Sequence, residues 1–503
     1  MKFMAALPAG LTLMFASLHA PLAAEPTAAS AAFTSTDPVV RRSLALMQSG
    51  KFHKAEDLLK AENSQGDAEA LRARAETLEI LRRTRTEYSL DASGLLAKVR
   101  ESVPDATPQE VERWATQSAA RYRMIDGQKF YFRREPSNLF RFSAQAKARR
   151  ARAGNAPPEP KWKLTDHLQA IVNEAGKTGQ VEVLPVRHRM TYTLTIRPNT
   201  PGIKAGSRVR VWLPYPQEYR QQRDVRLISA SPQPTLIAPS AVKGNPVGGA
   251  PQRTAYFEQQ VTNPAQPMVF KEVFEYNCFA YYPQLDEAAV QPLPADWNGA
   301  CLAERPPHIA FTPALRRQAA RIVGKETNSL AKARSIFRWV SANIKWNAED
   351  EYCTIPSLAI KGFTARRGDC GVQNTVFITL CRIAGIPARW QSGWETKPAN
   401  APGMHDWAEI YIAPWGWLPA DASYGVKQSD DPRIADFYCG HQDSYRLIVN
   451  LDWGREFVPP MTSLRSEPAD LQRGEVEVDG RTLYFDQWDY AMKVERDPGP
   501  NPE

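Results

Sequence analysis

A run of apolar residues that follows a cysteine constrains the fold of this chain more than any other stretch. Residues 372–384 begin two positions after Cys370, and the run ends at Gly385. At 100° per residue its apolar side chains fall on one broad face, which is typical of a helix packed in a core. Gly385 suits the left-handed residue that follows a helix, and Pro387 prevents continuation. The sequence therefore predicts a buried helix with Cys370 in its first turn and Asp369 as its N-cap.

The position of Cys370 favours chemistry at its thiol. Unpaired N–H groups and the positive end of the helix dipole stabilise a thiolate, and such placement lowers a thiol pKa from about 8.5 to roughly 3.5–7.5. A charged Asp369 opposes this effect, but as the N-cap its carboxylate is occupied by backbone N–H groups. Cys381 lies within the apolar face, where a cysteine is usually inert core. We therefore expect Cys370, and not Cys381, to be the nucleophile.

A histidine and an aspartate follow on two predicted strands. Residues 389–394 are interpreted as a strand that leaves the helix, and residues 404–412 as a second strand that contains His405. A turn at 414–417 then returns the chain to Asp421. An antiparallel hairpin would place His405 and Asp421 on neighbouring strands. The sequence does not fix the register of this hairpin, so it permits a hydrogen bond between the two side chains without requiring one.

Five short motifs together resemble the transglutaminase-like superfamily, and most closely its bacterial, exported, multidomain members. The resemblance is close over residues 305–425 and looser outside them. The motifs are Gly-Asp-Cys-Gly (368–371), Gly-Ile-Pro-Ala-Arg (385–389), His-Asp-Trp-Ala-Glu (405–409), Gly-Trp (416–417) and Asp-Ala-Ser (421–423).

The resemblance implies an α+β fold with a papain-like core, in which Cys370 is the nucleophile, His405 the base and Asp421 the residue that orients the imidazole. In this family the oxyanion site combines the backbone N–H of the cysteine with an upstream side chain, which is often aromatic. Trp346 and Tyr352 are both candidates for that side chain, and the sequence does not choose between them. No cofactor and no metal are expected, because the chain has no C-x-x-C and no H-x-x-x-H.

This chemistry is acyl transfer through a thioester, on an amide of a peptide, a protein or a cell-envelope polymer. We expect hydrolysis, because the loop at 395–404 is short and shows no long lid that would shield a thioester from water. One alternative is a protein-glutamine transglutaminase that cross-links its substrates. Another is a module that binds protein or envelope without catalysis. The sequence identifies neither the substrate nor the oligomeric state.

The N-terminus indicates export. Residues 1–24 resemble a secretory signal peptide, with Lys2, an apolar stretch and small residues before the cleavage region. No later run approaches the roughly 20 apolar residues of a membrane helix. We therefore expect a periplasmic or secreted protein, whose oxidising compartment permits disulfides. Among the six cysteines, Cys278 and Cys301 are the predicted bridge, and Cys370 stays free.

The remaining segments follow from changes in periodicity and composition. Residues 25–36 are interpreted as a disordered spacer, and the helix at 329–344 is expected to pack beside the Cys370 helix. We predict a packing or protein-contact role for the winged-helix-like motif at 88–142, because an exported chain does not meet DNA. The predicted segments are a helical region at 38–142, a basic, proline-rich linker at 143–163, a β-sandwich at 181–300, the catalytic domain at 305–425 and a β-rich C-terminal extension at 430–495.

Overall fold

The protein is described by a computed structural model that covers residues 31–62, 66–155, 161–241, 249–297, 299 and 301–498. The predicted signal peptide lies outside these residues, as does the first half of the predicted spacer. Residues Ala31–Thr34 form a short helix, α1, where the sequence predicts disorder. None of the helices in the described ranges combines the length and the apolar character that crossing a membrane requires.

The N-terminal region, residues 31–155, is a bundle of short helices with one β-hairpin. Thr107 and Glu110 form a capping box, exchanging hydrogen bonds at the start of a helix. The hairpin turns at Asp126 and Gly127, whose φ values of 49° and 90° are those of a type I′ turn. The elements are α2 Pro38–Gln48, α3 Phe52–Ala61, α4 Ala68–Glu87, α5 Ala92–Arg100, α6 Pro108–Gln117, β1 Tyr122–Ile125, β2 Gln128–Tyr131, α7 Glu135–Phe142 and α8 Ala144–Arg152.

Helix α8 occupies most of the predicted basic linker. Its residues are alanine, arginine, lysine and glutamine, all strong helix formers, and Ser143 caps it by accepting from the Ala146 N–H. Ala146 is buried in the N-terminal core. The expectation of a linker at 144–152 is therefore wrong, because helix propensity and a buried contact outweigh the basic charge. The proline-rich part at 156–160 lies outside the described residues.

Two antiparallel sheets form the β-sandwich that the sequence predicts. Alternate residues of the first strand are buried, as in a strand with one face against a core. The strands are β3 Glu182–Ile196, β4 Arg208–Pro214, β5 Gln222–Ser231, β6 Leu236–Ile237, β7 Thr254–Gln260 and β8 Met268–Tyr281, preceded by α9 Leu164–Thr178 and joined by three C-terminal strands, β15 Glu475–Val478, β16 Arg481–Leu483 and β17 Trp488–Arg496. The sheets have the orders β16-β15-β4-β7-β6 and β17-β3-β8-β5. Three strands of the predicted C-terminal extension thus complete this sandwich.

The segment between β8 and β15 contains a helix that is surrounded by other elements. Helix α13, Cys370–Ile383, packs on a four-stranded antiparallel sheet of order β13-β12-β11-β14. It is buried on all sides from Gly371 to Arg382, so the expectation of a single buried face is too narrow. The predicted contact with the helix at 329–344 is confirmed, and so is the α+β class. The elements are α10 Pro313–Val323, α11 Ser329–Asn343, β9 Lys345–Trp346, a 3-10 turn Tyr352–Thr354, α12 Leu358–Ala365, β10 Arg367–Gly368, β11 Ala388–Glu395, β12 Gly403–Ile412, β13 Gly416–Ala420, α14 Pro432–Ala435 and β14 Arg446–Asn450.

All six cysteines are free, so the predicted Cys278–Cys301 bridge is wrong. Cys278 is fully buried in β8, within the core of the sandwich. Cys301 lies beside the four-stranded sheet that packs on α13, where its carbonyl accepts a hydrogen bond from the Ala388 N–H of β11. The two residues are close in sequence, but they belong to different layers of the fold.

We expect six reactive thiols in protein isolated from the periplasm without reductant and then unfolded, because no cysteine is bridged. A chromogenic thiol reagent measures the number, and fully reduced protein supplies the reference. A value of four would mean that one bridge forms during export, in contradiction to the structure.

Candidate active site

Cys370 is the first residue of α13, as the sequence predicts. Asp369 is the N-cap, and its side chain accepts a hydrogen bond from the Val372 N–H at 3.1 Å. Only glycine fits at position 371 without a steric clash, because a Cβ there would lie 2.1 Å from Tyr352 Oη and 2.7 Å from an Asp406 carboxyl oxygen. The glycine therefore lets a hydroxyl and a carboxyl approach the start of the helix. The thiol of Cys370 is half-buried at this junction.

The structure brings His405 and Asp421 together. His405 lies in β12 and Asp421 directly follows β13, which pairs with β12 in antiparallel register. The bond from His405 Nε2 to Asp421 Oδ2 is 2.7 Å long, and both side chains are buried. Asp421 also contacts Arg446 Nη1 at 3.1 Å. Burial opposes ionisation of this carboxyl, but His405 and Arg446 hold the pKa of Asp421 well below its usual range.

The Cys370 thiol is hydrogen-bonded to a different residue. Its Sγ donates to Asp406 Oδ2 at 3.3 Å, and within the described residues no hydrogen bond joins this thiol to His405. Asn374, one turn further along α13, connects the two halves of the site. Its side-chain amide donates to the Cys370 carbonyl at 3.0 Å and contacts Asp421 Oδ1 at 3.4 Å. Cys370 and the His405–Asp421 pair are therefore linked through Asn374.

The thiol pKa moves in the direction opposite to the prediction. Burial, together with the carboxyls of Asp406 and Asp369, raises the pKa of Cys370 well above its usual value. Burial and Glu349 also raise the pKa of Asp369 to about 7. The expectation of a lowered thiol pKa is wrong, because two nearby carboxyls and desolvation outweigh the helix N-terminus.

A cavity of 140 Å³ opens beside Cys370, and both oxyanion candidates line it. The Tyr352 hydroxyl lies 2.9 Å from Asp369 Oδ1 and 3.0 Å from Asp406 Oδ2, so its single hydrogen is committed to a carboxyl. Trp346 is 39% exposed, and its indole N–H has no hydrogen-bond partner among the described residues. Of the two, Trp346 is therefore the side chain with a donor still available.

Comparison with known proteins identifies the region that contains this site. Residues 316–422 match the family model described as the transglutaminase-like superfamily. The chain carries a transglutaminase-like core. The resemblance predicted from the motifs is thereby confirmed over these residues, which include Cys370, His405 and Asp421.

Individual relatives are more distant. An uncharacterised protein of Haemophilus influenzae is 31% identical over 172 residues, which are 27% of this chain and 46% of that protein. The chain thus spans about half the length of this curated relative. A candidate cysteine protease from Cytophaga hutchinsonii has a similar solved structure, with 15% identity, a TM-score of 0.42, and coverage of 64% of this chain and 94% of that chain. The periplasmic domain of TgpA from Pseudomonas aeruginosa follows, with 16% identity, a TM-score of 0.24, and coverage of 54% and 94%.

The site of the transglutaminase-like core contains residues that the motifs do not reveal. Asp406 and Asp470 lie in hydrogen-bond contact, and burial together with this contact raises the pKa of Asp406 well above its usual value. Gln472 Nε2 donates to Asp406 Oδ1 at 2.7 Å. The alternation of β12 places Asp406 on the face opposite His405, which is the one sequence signal for its role. Asp470 and Gln472 lie beyond the predicted catalytic domain, and no motif marks them.

The loop 347–351, which follows β9, forms one wall of the cavity, and the N-terminal region holds this loop in place. Arg121 Nη2 donates to the Ala348 carbonyl at 2.7 Å, and Asn138 Oδ1 accepts from the Ala348 N–H at 2.9 Å. Arg133 pairs with Glu351 at 2.9 Å. Arg134 lines the cavity itself. These contacts give the predicted winged-helix-like motif a packing role against the transglutaminase-like core.

Metal chemistry has no ready ligand set in the described part of the chain, where no group of three or more His, Cys, Asp or Glu side chains is arranged to hold an ion. The carboxyls beside Cys370 are instead engaged with each other, with Tyr352 and with Gln472.

Proposed function

We propose that the protein is an exported cysteine enzyme that hydrolyses amide bonds by acyl transfer through a thioester. Cys370 is the nucleophile, His405 the base and Asp421 the residue that orients the imidazole. The observation that carries the proposal is the 2.7 Å bond between His405 Nε2 and Asp421 Oδ2, beside a cysteine at the N-terminus of a central helix. Export is supported by the pattern of residues 1–24.

The tautomer of His405 determines the proton path. Because Asp421 occupies Nε2, Nδ1 is the nitrogen left to accept the thiol proton. The Cys370 side chain must turn from Asp406 for that transfer, after which sulfur attacks the amide carbonyl carbon. The imidazolium then protonates the leaving amine, and water attacks the thioester with His405 as base. The backbone N–H of Cys370 and the indole N–H of Trp346 are the proposed donors to the oxyanion.

We infer hydrolysis over transamidation from the short connection between β11 and β12. Transamidation requires an amine to compete with water, which is about 55 M, and so needs a shielded channel to the thioester. The connection between β11, which ends at Glu395, and β12, which begins at Gly403, is too short to form a long lid. The substrate class is an amide of a peptide, a protein or a cell-envelope polymer.

We expect released acid and ammonia to exceed amine incorporation when acyl-donor peptides are supplied with a fluorescent primary amine. The physical reason is that the short connection between β11 and β12 offers no long lid to exclude water from the thioester. Both products are measured in the same reaction, with Cys370→Ala as the control that removes the nucleophile. Dominant incorporation at millimolar amine, lost in Cys370→Ala, would instead identify a transglutaminase.

A non-catalytic binding module is the second candidate, and one observation favours it. The Cys370 thiol bonds to Asp406 instead of His405, and burial with the nearby carboxyls raises its pKa. Iodoacetamide labelling separates the two functions. An enzyme is expected to label at Cys370 faster than at the fully buried Cys381, with a lower rate in His405→Ala. Equal labelling of both cysteines, unaffected by His405→Ala, would support the binding module.

A further inference from the structure

We propose that Asp406 is a positioning residue that holds the Cys370 thiol in a resting orientation, bonded on the face of β12 opposite His405. The proposal rests on the proposed function, because it concerns how the nucleophile is presented. Asp406 is 3% exposed, and its Oδ2 accepts the thiol hydrogen at 3.3 Å. His405 is its neighbour in β12, where consecutive side chains point to opposite faces. One strand therefore carries the resting partner of the thiol on one face and the proposed base on the other.

The Asp406 carboxyl is fixed in place from several directions. Gln472 Nε2 donates to its Oδ1 at 2.7 Å, and the Tyr352 hydroxyl lies 3.0 Å from its Oδ2. Asn374 holds the backbone of the same residue, since its side-chain amide donates to the Asp406 carbonyl at 2.9 Å. The thiol is the flexible member of this group, because rotation about one side-chain bond releases it. Release of the thiol from Asp406 is thus a motion of Cys370 and not of Asp406.

The charges around Asp406 disfavour a thiolate in this orientation. Asp406 and Asp470 are neighbouring carboxyls, and burial together with this contact raises the pKa of Asp406 well above its usual value. A thiolate at Cys370 would place a negative charge against that pair. The groups that face the pair are Asp369 and Cys370 at the start of α13, Tyr352 of the 3-10 turn, Gln472 beside β15, and Glu467, Arg465 and Arg473, which act on Asp470.

The consequence is a nucleophile that stays a neutral thiol until it turns. At rest the S–H bond points to Asp406, and the thiol is protected from alkylation and oxidation, which require the thiolate. After rotation the S–H bond breaks, and its proton passes to Nδ1 of His405. No additional reactant is needed, because the proton remains within the site until the leaving amine accepts it.

Asp406→Asn tests the proposal, because asparagine keeps the shape and an oxygen that accepts the thiol hydrogen but removes the charge. We expect the pH midpoint of iodoacetamide labelling at Cys370 to fall by about one unit, which is about tenfold more thiolate at a given pH below the midpoint. The matched control is Asp369→Asn, which retains an N-cap and removes a carboxyl that contacts Tyr352 but not the thiol. It is expected to give a smaller shift. Asp470→Asn supplies a second variant, expected to shift the midpoint in the same direction as Asp406→Asn.

Several outcomes would overturn the proposal: an unchanged or raised midpoint in Asp406→Asn, or an equally large shift in Asp369→Asn. Circular dichroism and the melting temperature show whether Asp406→Asn folds. If it does not fold, an unshifted midpoint in Asp470→Asn would overturn the proposal instead. Labelling does not depend on turnover, so it separates the two proposals. A shifted midpoint without amide hydrolysis would support this role of Asp406 and contradict the proposed enzyme, and hydrolysis with an unshifted midpoint would do the reverse.

Discussion

Replacing His405 with alanine is expected to lower kcat/KM for amide hydrolysis by about 10²–10⁴-fold, and replacing Cys370 with alanine is expected to abolish it. In the proposed mechanism the imidazole accepts the thiol proton and later donates it to the leaving amine. Its position depends on the 2.7 Å bond to Asp421 Oδ2. Initial rates of acid release from an amide substrate, measured across a range of pH, provide the comparison.

The control for these substitutions is Cys381→Ala, which removes a sulfur of the same helix that is fully buried and outside the cavity. It is expected to reduce stability slightly and to retain hydrolysis. Loss of activity in Cys381→Ala, equal to that of Cys370→Ala, would attribute the effect to damage of α13. Hydrolysis that survives in Cys370→Ala would contradict the assigned nucleophile.

Arg446→Met is expected to lower the free energy of unfolding by about 3–5 kcal/mol, because it leaves buried carboxylates without their cation. Arg446 is 0% exposed, and its guanidinium lies 3.1 Å from Asp421 Oδ2 and 3.3 Å from Asp443 Oδ2. Its Cζ also lies 4.5 Å from the centre of the Tyr424 ring. Denaturant unfolding monitored by tryptophan fluorescence measures the loss. Without this cation the pKa of Asp421 is expected to rise, which weakens its hold on His405.

A second substitution shows whether the loss comes from charge. In Arg446→Met the Asp443 carboxylate is left buried and unpaired, so adding Asp443→Asn is expected to recover part of the stability. Arg446→Lys, which keeps a positive charge, is expected to lose less than Arg446→Met. A loss below about 1 kcal/mol in Arg446→Met, the range of an exposed pair, would mean that the cation does not stabilise this part of the sheet.

The helix that presents Cys370 is predictable because its signals are local. Asp369 caps it, and Gly385 follows it with a φ of 81°, as the sequence indicates. The pairing of His405 with Asp421 is also predictable in outline, since two strands joined by a short turn must be neighbours. The hydrogen bond itself depends on the register, and the structure supplies that register.

The state of the thiol is not predictable from the same signals. It depends on Asp406 and Asp470, which are far apart in sequence. The two residues meet only when the segment that follows β14 packs back against the site. The burial of Arg446 is unpredictable for a similar reason. A lone arginine at the start of a strand gives no sign in the sequence that it will be fully buried beside Asp421. Local patterns thus predict the candidate reacting groups, whereas long-range packing sets the surroundings that shift their pKa values.

The packing of the N-terminal region on the loop 347–351 also determines when the site can be complete. Arg121 and its partner Glu349 are 228 positions apart, a distance that takes roughly 10–50 s to synthesise. The cavity further requires Asp470 and Gln472, which emerge later still. The cavity beside Cys370 is therefore among the last parts of the molecule to be completed. A fragment limited to residues 316–422 would contain Cys370, His405 and Asp421 but would lack two walls of their cavity.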